Sequence, residues 1–153
     1  MAKSRGERGA RQRGEHERAT PQVRSRGPRH QDFAPHPPAI HSTLHALRAA
    51  STSGKLIAMI EPRSNTMRLG EHKAHLVACA ADADLALWLD PPGLDWDLSH
   101  TVASASGQEA FDSVEAMIER ALAAAVTGDS IVVMSNGGFD GLHQRLLTAL
   151  AER

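Results

Sequence analysis

Residues 131–150 read IVVMSNGGFDGLHQRLLTAL. Four apolar residues, Ile131 to Met134, run straight into Ser135-Asn136-Gly137-Gly138-Phe139, and a helical pattern follows almost at once. A strand that turns into a helix within so few residues is the unit of a parallel α/β sheet. Paired glycines permit unusual backbone angles and close approach of another group. The helix start behind them offers N–H groups and a positive dipole end. The turn is therefore either a plain βα connection or part of a ligand site.

Upstream, the pattern repeats. KLIAMI (55–60) and LALWL (85–89) are short apolar runs bounded by turn signals and read as buried strands, as does SIVVM (130–134). PPAIHSTLHALRAA (37–50) spaces Ile40, Leu44 and Leu47 as a helix does and starts on prolines. EHKAHLVACAADA (71–83) reads as a second helix. DSVEAMIERALAAAV (112–126) opens with an Asp112–Glu115 cap signature and stripes Val114, Ile118 and Leu122. VASA (102–105) is expected as a short fourth strand. Strands apolar on both faces, alternating with helices, predict a Rossmann-like three-layer α/β domain with a mostly parallel sheet.

The 153 residues suit one domain, with 41% hydrophobic residues and no tyrosine, so the core is aliphatic. The net charge of −1 conceals a division. Residues 1–30 hold nine Lys/Arg against three Asp/Glu, a net of +6, whereas 31–153 carry a net of −7. Residues 1–30 contain Val23 and almost nothing else fit for a core, so a disordered basic arm is expected there, ahead of a domain over 31–153. The arm lacks aromatic residues to stack on bases, which makes nucleic-acid binding the lesser alternative. A single cysteine, Cys79, excludes an internal disulfide and a cysteine metal cluster. No apolar run approaches the ~18 residues of a membrane span and no apolar core follows the basic N-terminus, so a cytoplasmic protein is expected.

In a parallel sheet, ligands sit outside the carboxyl ends of the strands. The loops leaving those ends are EPRSNTMRLG (61–70), DPPGLDWDLSH (90–100) and SNGGFDG (135–141), the three of oddest composition. The first carries Arg63, Ser64, Asn65, Thr66 and Arg68 over more residues than the usual ~2–6 of a βα loop. A guanidinium fork there suits a carboxylate or phosphate. Nine histidines raise a metal hypothesis. However, the i,i+4 pair His41/His45 has no carboxylate at ligand spacing, and neither it nor the i,i+3 pair His72/His75 belongs to an HExxH pattern, so no metal site is expected. There is no G-x-x-x-x-G-K-[ST] phosphate loop and no G-x-S-x-G nucleophile elbow. No catalytic residue is assigned.

The motifs DFAPHPPAI (32–40), EPRSNTMRLGEHK (61–73), DADLALWLDPPGLDWDL (82–98) and GDSIVVMSNGGFDGLHQRLL (128–147) resemble the C-terminal domain of the Mur ligases, in particular the murein peptide ligase branch. The resemblance runs from about Asp32 to Leu150. It implies an ATP-dependent amide ligase of cell-wall peptidoglycan recycling, joining UDP-N-acetylmuramate to the tripeptide L-Ala-γ-D-Glu-meso-diaminopimelate. The complete enzyme uses ATP and Mg2+ to activate the muramate carboxylate as an acyl phosphate, which the peptide amine attacks. Carried over, Asp32, Phe33, Ala34 and His36 fall near the ATP, while Arg63, Ser64, Asn65 and Thr66, and Ser135, Asn136, Gly137, Gly138 and Phe139, face the tripeptide. Gln31, Pro35 and Asp140 depart from the family's usual Asp, His and Gly. The strand usual before Asp32 is missing, because RSRGPRHQ (24–31) is too polar to supply it. The sugar and ATP domains are absent. The chain is thus expected to be a fragment inactive alone and without bound cofactor, or half of a split enzyme whose partner chain carries the missing domains. The rival is a non-enzymatic binding module.

Overall fold

The structure is a computed structural model that describes the backbone of residues 22–26 and, in full, residues 36–50, 53–63, 67, 69–71, 73–135 and 137–152. Among the described residues five strands form one sheet: β1 (Gln22–Arg26), β2 (Leu56–Ile60), β3 (Leu85–Leu89), β4 (Gln108–Phe111) and β5 (Ser130–Met134). Their order is β1-β5-β2-β3-β4, and every neighbouring pair is parallel. The helices are α1 (Pro37–Ala50), α2 (Lys73–Cys79), α3 (Leu98–Val102), α4 (Val114–Ala124) and α5 (Leu142–Ala151).

Alternation along the buried strands feeds two cores, as the pleat requires. Ala58, Ile60, Trp88, Val132 and Met134 point to one face, where Ile40 and Leu44 of α1, Leu76 of α2 and Leu98 and Val102 of α3 cover them. Ile57, Met59, Leu87, Ile131 and Val133 point to the other, under Met117 and Ile118 of α4 and Leu142 and Leu146 of α5. The three-layer α/β architecture is therefore the expected one. Among the described residues no helix is long and apolar enough to cross a membrane.

Three expectations need correction. The segment before Asp32 does supply a strand: β1 pairs along β5 from Gln22↔Ser130 to Arg26↔Met134. A parallel edge strand is held by backbone hydrogen bonds to a single neighbour, and polar or charged composition is what edge strands carry. Polarity was thus the wrong criterion. The remainder of the expected arm, with Asp32, Phe33 and Ala34, lies outside the described residues.

The fourth strand is Gln108–Phe111, not 102–105. Val102 instead closes α3, whose start is capped by the Asp97 carboxylate accepting from the His100 N–H at 2.8 Å. β4 reads QEAF and is half-buried throughout, again as an edge strand. It escaped the search for apolar runs. Finally, α4 is capped one residue later than expected. The Ser113 hydroxyl accepts from the Ala116 N–H at 3.3 Å, a Ser N-cap rather than an Asp112–Glu115 box.

Candidate functional site

The carboxyl ends of β2, β3 and β4 are each followed by an acidic residue: Glu61, Asp90 and Asp112. In register, Ile60 faces Met134 and Leu89 faces Phe111. One step further, Glu61 lies beside Ser135 and Asp90 beside Asp112. Glu61, Asp90 and Asp112, with Arg63 and Asp140, line an open cleft of about 540 Å³ above the sheet edge. Pro91 and Pro92 stiffen its wall.

Glu61 is 4% exposed, yet its polar atoms are satisfied. Its N–H donates to the Met134 carbonyl (3.0 Å) and its carbonyl accepts from the Arg63 N–H (3.0 Å). Its Oε2 accepts from the Ser135 hydroxyl (2.5 Å), and its Oε1 lies 3.5 Å from Nη1 of Arg63. The Arg63 side chain is 58% exposed toward the cleft. Ser135 Oγ also accepts from the Gly137 N–H at 3.0 Å, which folds the glycine turn back on its own first residue.

Burial pushes the Asp90 carboxyl above its ordinary range, and the like charges of Asp97 and Asp112 push it the same way. Asp140 projects from the opposite wall and accepts from Arg145 Nη1 at 2.8 Å; the same guanidinium donates to Glu115 at 2.5 Å. Among the described residues the cleft thus presents the Arg63 guanidinium beside the carboxylates of Asp90, Asp112 and Asp140, with Glu61 buried beneath it. That suits a ligand bearing both an ammonium and a carboxylate. Among the described residues no three His, Cys, Asp or Glu side chains are grouped to hold a metal ion. The described part of the cleft therefore has no ready-made cage for a bare metal ion.

Of the residues expected in the site, Arg63, Ser135 and Gly137 come together. His36 stands at the start of α1, where its carbonyl accepts from the Ala39 and Ile40 N–H groups. Ser64, Asn65, Thr66 and Asn136 lie outside the described residues. Phe139 is 2% exposed and packs into the core under α4 and α5, so its ring supports the wall from behind. The glycine pair does not use the left-handed freedom it permits. Gly138 has φ −70°, while Phe139, Asp140 and Gly141 carry positive φ (45°, 48° and 66°). The chain reverses on FDG, after the glycine pair.

Glu61, Asp90, Asp112 and Asp140 were not assigned to the site from the sequence. The signal for the first three was present: an acidic residue directly after a strand, repeated on β2, β3 and β4. It needed β4 to be placed correctly before the repetition could be seen.

Comparison with known proteins agrees with this frame. Residues 22–137 match the family model described as Mur ligase, glutamate ligase domain. The UDP-N-acetylmuramate--L-alanyl-gamma-D-glutamyl-meso-2,6-diaminoheptandioate ligase of Escherichia coli (strain K12) is 43% identical over 125 residues, 80% of this chain and 27% of that protein. The ligase of the same name from Haemophilus influenzae is 39% identical over 122 residues, 78% of this chain and 27% of that one. The chain thus spans about a quarter of the length of the curated relatives it matches. Among solved structures, a murein peptide ligase from Psychrobacter arcticus superposes with a TM-score of 0.72 at 40% identity, over 88% of this chain and 29% of that one. A domain from a putative ligase of the same type from Haemophilus ducreyi gives a TM-score of 0.66 at 32% identity and is matched over 96% of its length.

Proposed function

The chain belongs to the Mur ligase family, as its glutamate ligase domain, and on that premise we propose that it is the peptide-receiving domain of an ATP-dependent ligase joining UDP-N-acetylmuramate to L-Ala-γ-D-Glu-meso-diaminopimelate in cytoplasmic peptidoglycan recycling. The observation that carries this is the cleft at the sheet's carboxyl edge, with Arg63 set among Glu61, Asp90, Asp112 and Asp140. Diaminopimelate ends in a carbon bearing both an ammonium and a carboxylate. Arg63 matches the carboxylate, by fork geometry and charge. Asp90 and Asp112, side by side on the neighbouring strands, match the ammonium.

The domain's part in the reaction is positional. It holds the diaminopimelate end, so that the L-alanyl amine at the far end of the peptide is delivered to the muramyl carboxylate. Fixing a nucleophile in this way accounts for a large share of the rate in bimolecular acyl transfer. Activation of the carboxylate by ATP and Mg2+ falls to domains beyond this chain, or to a separate chain that carries them.

Two measurements test the reading. Titration of the 15N-labelled chain with the tripeptide is expected to shift amides at the ends of β2 and β3 and in the 135–141 turn, while ATP leaves them in place. Mixed with UDP-N-acetylmuramate, tripeptide, ATP and Mg2+, the chain by itself is expected to form no product. Shifts confined to other faces, or product formed by the chain alone, would refute the assignment.

A further inference from the structure

Glu61 is too buried to be a direct ligand, at 4% exposed, yet it touches both loops that frame the cleft. Each carboxylate oxygen serves a different loop: Oε2 takes the Ser135 hydroxyl after β5, and Oε1 faces the Arg63 guanidinium after β2. Its backbone makes the same two connections, to Met134 and to Arg63. Ser135 passes the link on to Gly137 through that residue's N–H. Gly137 in turn lies under Arg63, since a Cβ built on it would meet Nη1 at 3.4 Å. A circuit of neighbours runs Glu61–Ser135–Gly137–Arg63–Glu61, in which the Gly137–Arg63 step is close approach without a bond and the other steps are polar contacts.

We propose that Glu61 is the positioning residue of the peptide site: it aims the Arg63 guanidinium into the cleft and locks the Ser135–Gly137 turn to it. The inference rests on the peptide-binding reading of the cleft. A buried carboxylate has to be compensated by partners. Here the compensation comes from the groups whose placement the site needs, so the carboxylate orders them as they satisfy it. Arg63 otherwise sits on a long, largely exposed side chain, whose rotamer freedom would be lost on binding. Restraint at Glu61 removes part of that loss beforehand.

Charge alone makes the opposite prediction. Removing a carboxylate beside an anion-binding guanidinium strengthens anion binding by simple electrostatics. Glu61→Gln therefore separates the two effects, since its amide oxygen still accepts from Ser135 while its hold on Arg63 is lost. In the full 153-residue chain, Glu61→Gln is expected to weaken tripeptide binding at least fivefold by NMR titration. The effect should vanish in an Arg63→Ala background, because a residue that acts through Arg63 has nothing left to act on. In the ligand-free chain, 15N relaxation of the Arg63 Nε–Hε group should show greater mobility in Glu61→Gln than in wild type.

Equal or tighter binding by Glu61→Gln overturns the proposal. So does an equal loss in both backgrounds, or an unchanged Arg63 Nε signal. If wild type fails to bind the tripeptide, the peptide-site reading falls and this inference with it; wild-type binding with no Glu61→Gln effect defeats the inference alone. Should Glu61→Gln not fold, Ser135→Ala breaks the circuit at its other end and is expected to lower tripeptide affinity at least threefold; unchanged affinity there also overturns the proposal.

Discussion

Gly54 and Gly138 look alike in the sequence and differ in what surrounds them. Gly54 has φ 83°, and a Cβ there would lie 2.1 Å from the Gly128 carbonyl oxygen, at the turn that brings β2 beside β5. Gly138 has φ −70° and ψ −13°, with nothing within 4 Å of a Cβ. Alanine at 54 is expected to cost ~2 kcal/mol or more, from strain and clash together. At 138 it is expected to be neutral, or to stabilise by up to ~1 kcal/mol through the unfolded chain. Urea denaturation of the two variants checks both. Asp90 carries a cost of function. Its carboxyl is raised from the ordinary 3.8, so the folded state holds that proton more tightly than the unfolded one. Stability is therefore lost as pH rises from 3.8 through the raised value, and the penalty is absent below it. Asp90→Asn should raise the melting temperature at about pH 7 and leave it unchanged at about pH 3. At this scale the placing of Arg63 and Ser135 at the carboxyl edge of the sheet was legible, because each stands just after an apolar run that ends in a turn. Glu61 was not, since an acidic residue after a strand resembles any solvated loop start until its burial is known.

Among the elements, those with an apolar signature were read correctly, and the ones held by other means were not. β2, β3, β5 and α1 announce themselves by burial of Ile57, Met59, Leu87 and Ile131, and of Ile40 and Leu44. β4 is fixed instead by polar contacts. Gln108 accepts from the Trp88 indole N–H at 3.0 Å and donates to the Val77 carbonyl at 2.7 Å. Glu109 receives a two-pronged Arg120 guanidinium from α4, three contacts of 2.7–3.1 Å. Such pairings join residues distant in sequence, and no local periodicity reports them. The α4 start is a local matter and is testable as one. Ser113 is its N-cap, so Ser113→Ala is expected to cost ~1 kcal/mol, whereas Asp112→Ala should leave the helix start intact. Thermal unfolding of the two variants distinguishes this cap from the Asp112–Glu115 box read in the sequence.

For the whole molecule, β1 makes the N-terminal boundary a testable matter. Its backbone pairs with β5 over five positions, so we propose that the folded unit starts near Gln22, inside the stretch expected to be a basic arm. Deleting residues 1–21 is expected to leave the melting temperature within about 2 °C of the full chain, and deleting 1–26 to lower it by several degrees, a loss above ~1 kcal/mol. Calorimetry of both truncations decides the boundary. The strand order also has a kinetic side. Ser130 is the pairing partner of Gln22 and of Leu56 alike, so two early strands share a neighbour made much later. The sheet cannot be assembled in the order of its synthesis. A nascent chain that has emerged only through β4 holds β1 and β2 apart, each with an open edge awaiting the same five residues. Closure over such long stretches of chain puts folding among the slower topologies. Until SIVVM arrives, those edges are the surfaces on which a half-made chain would meet another of its kind.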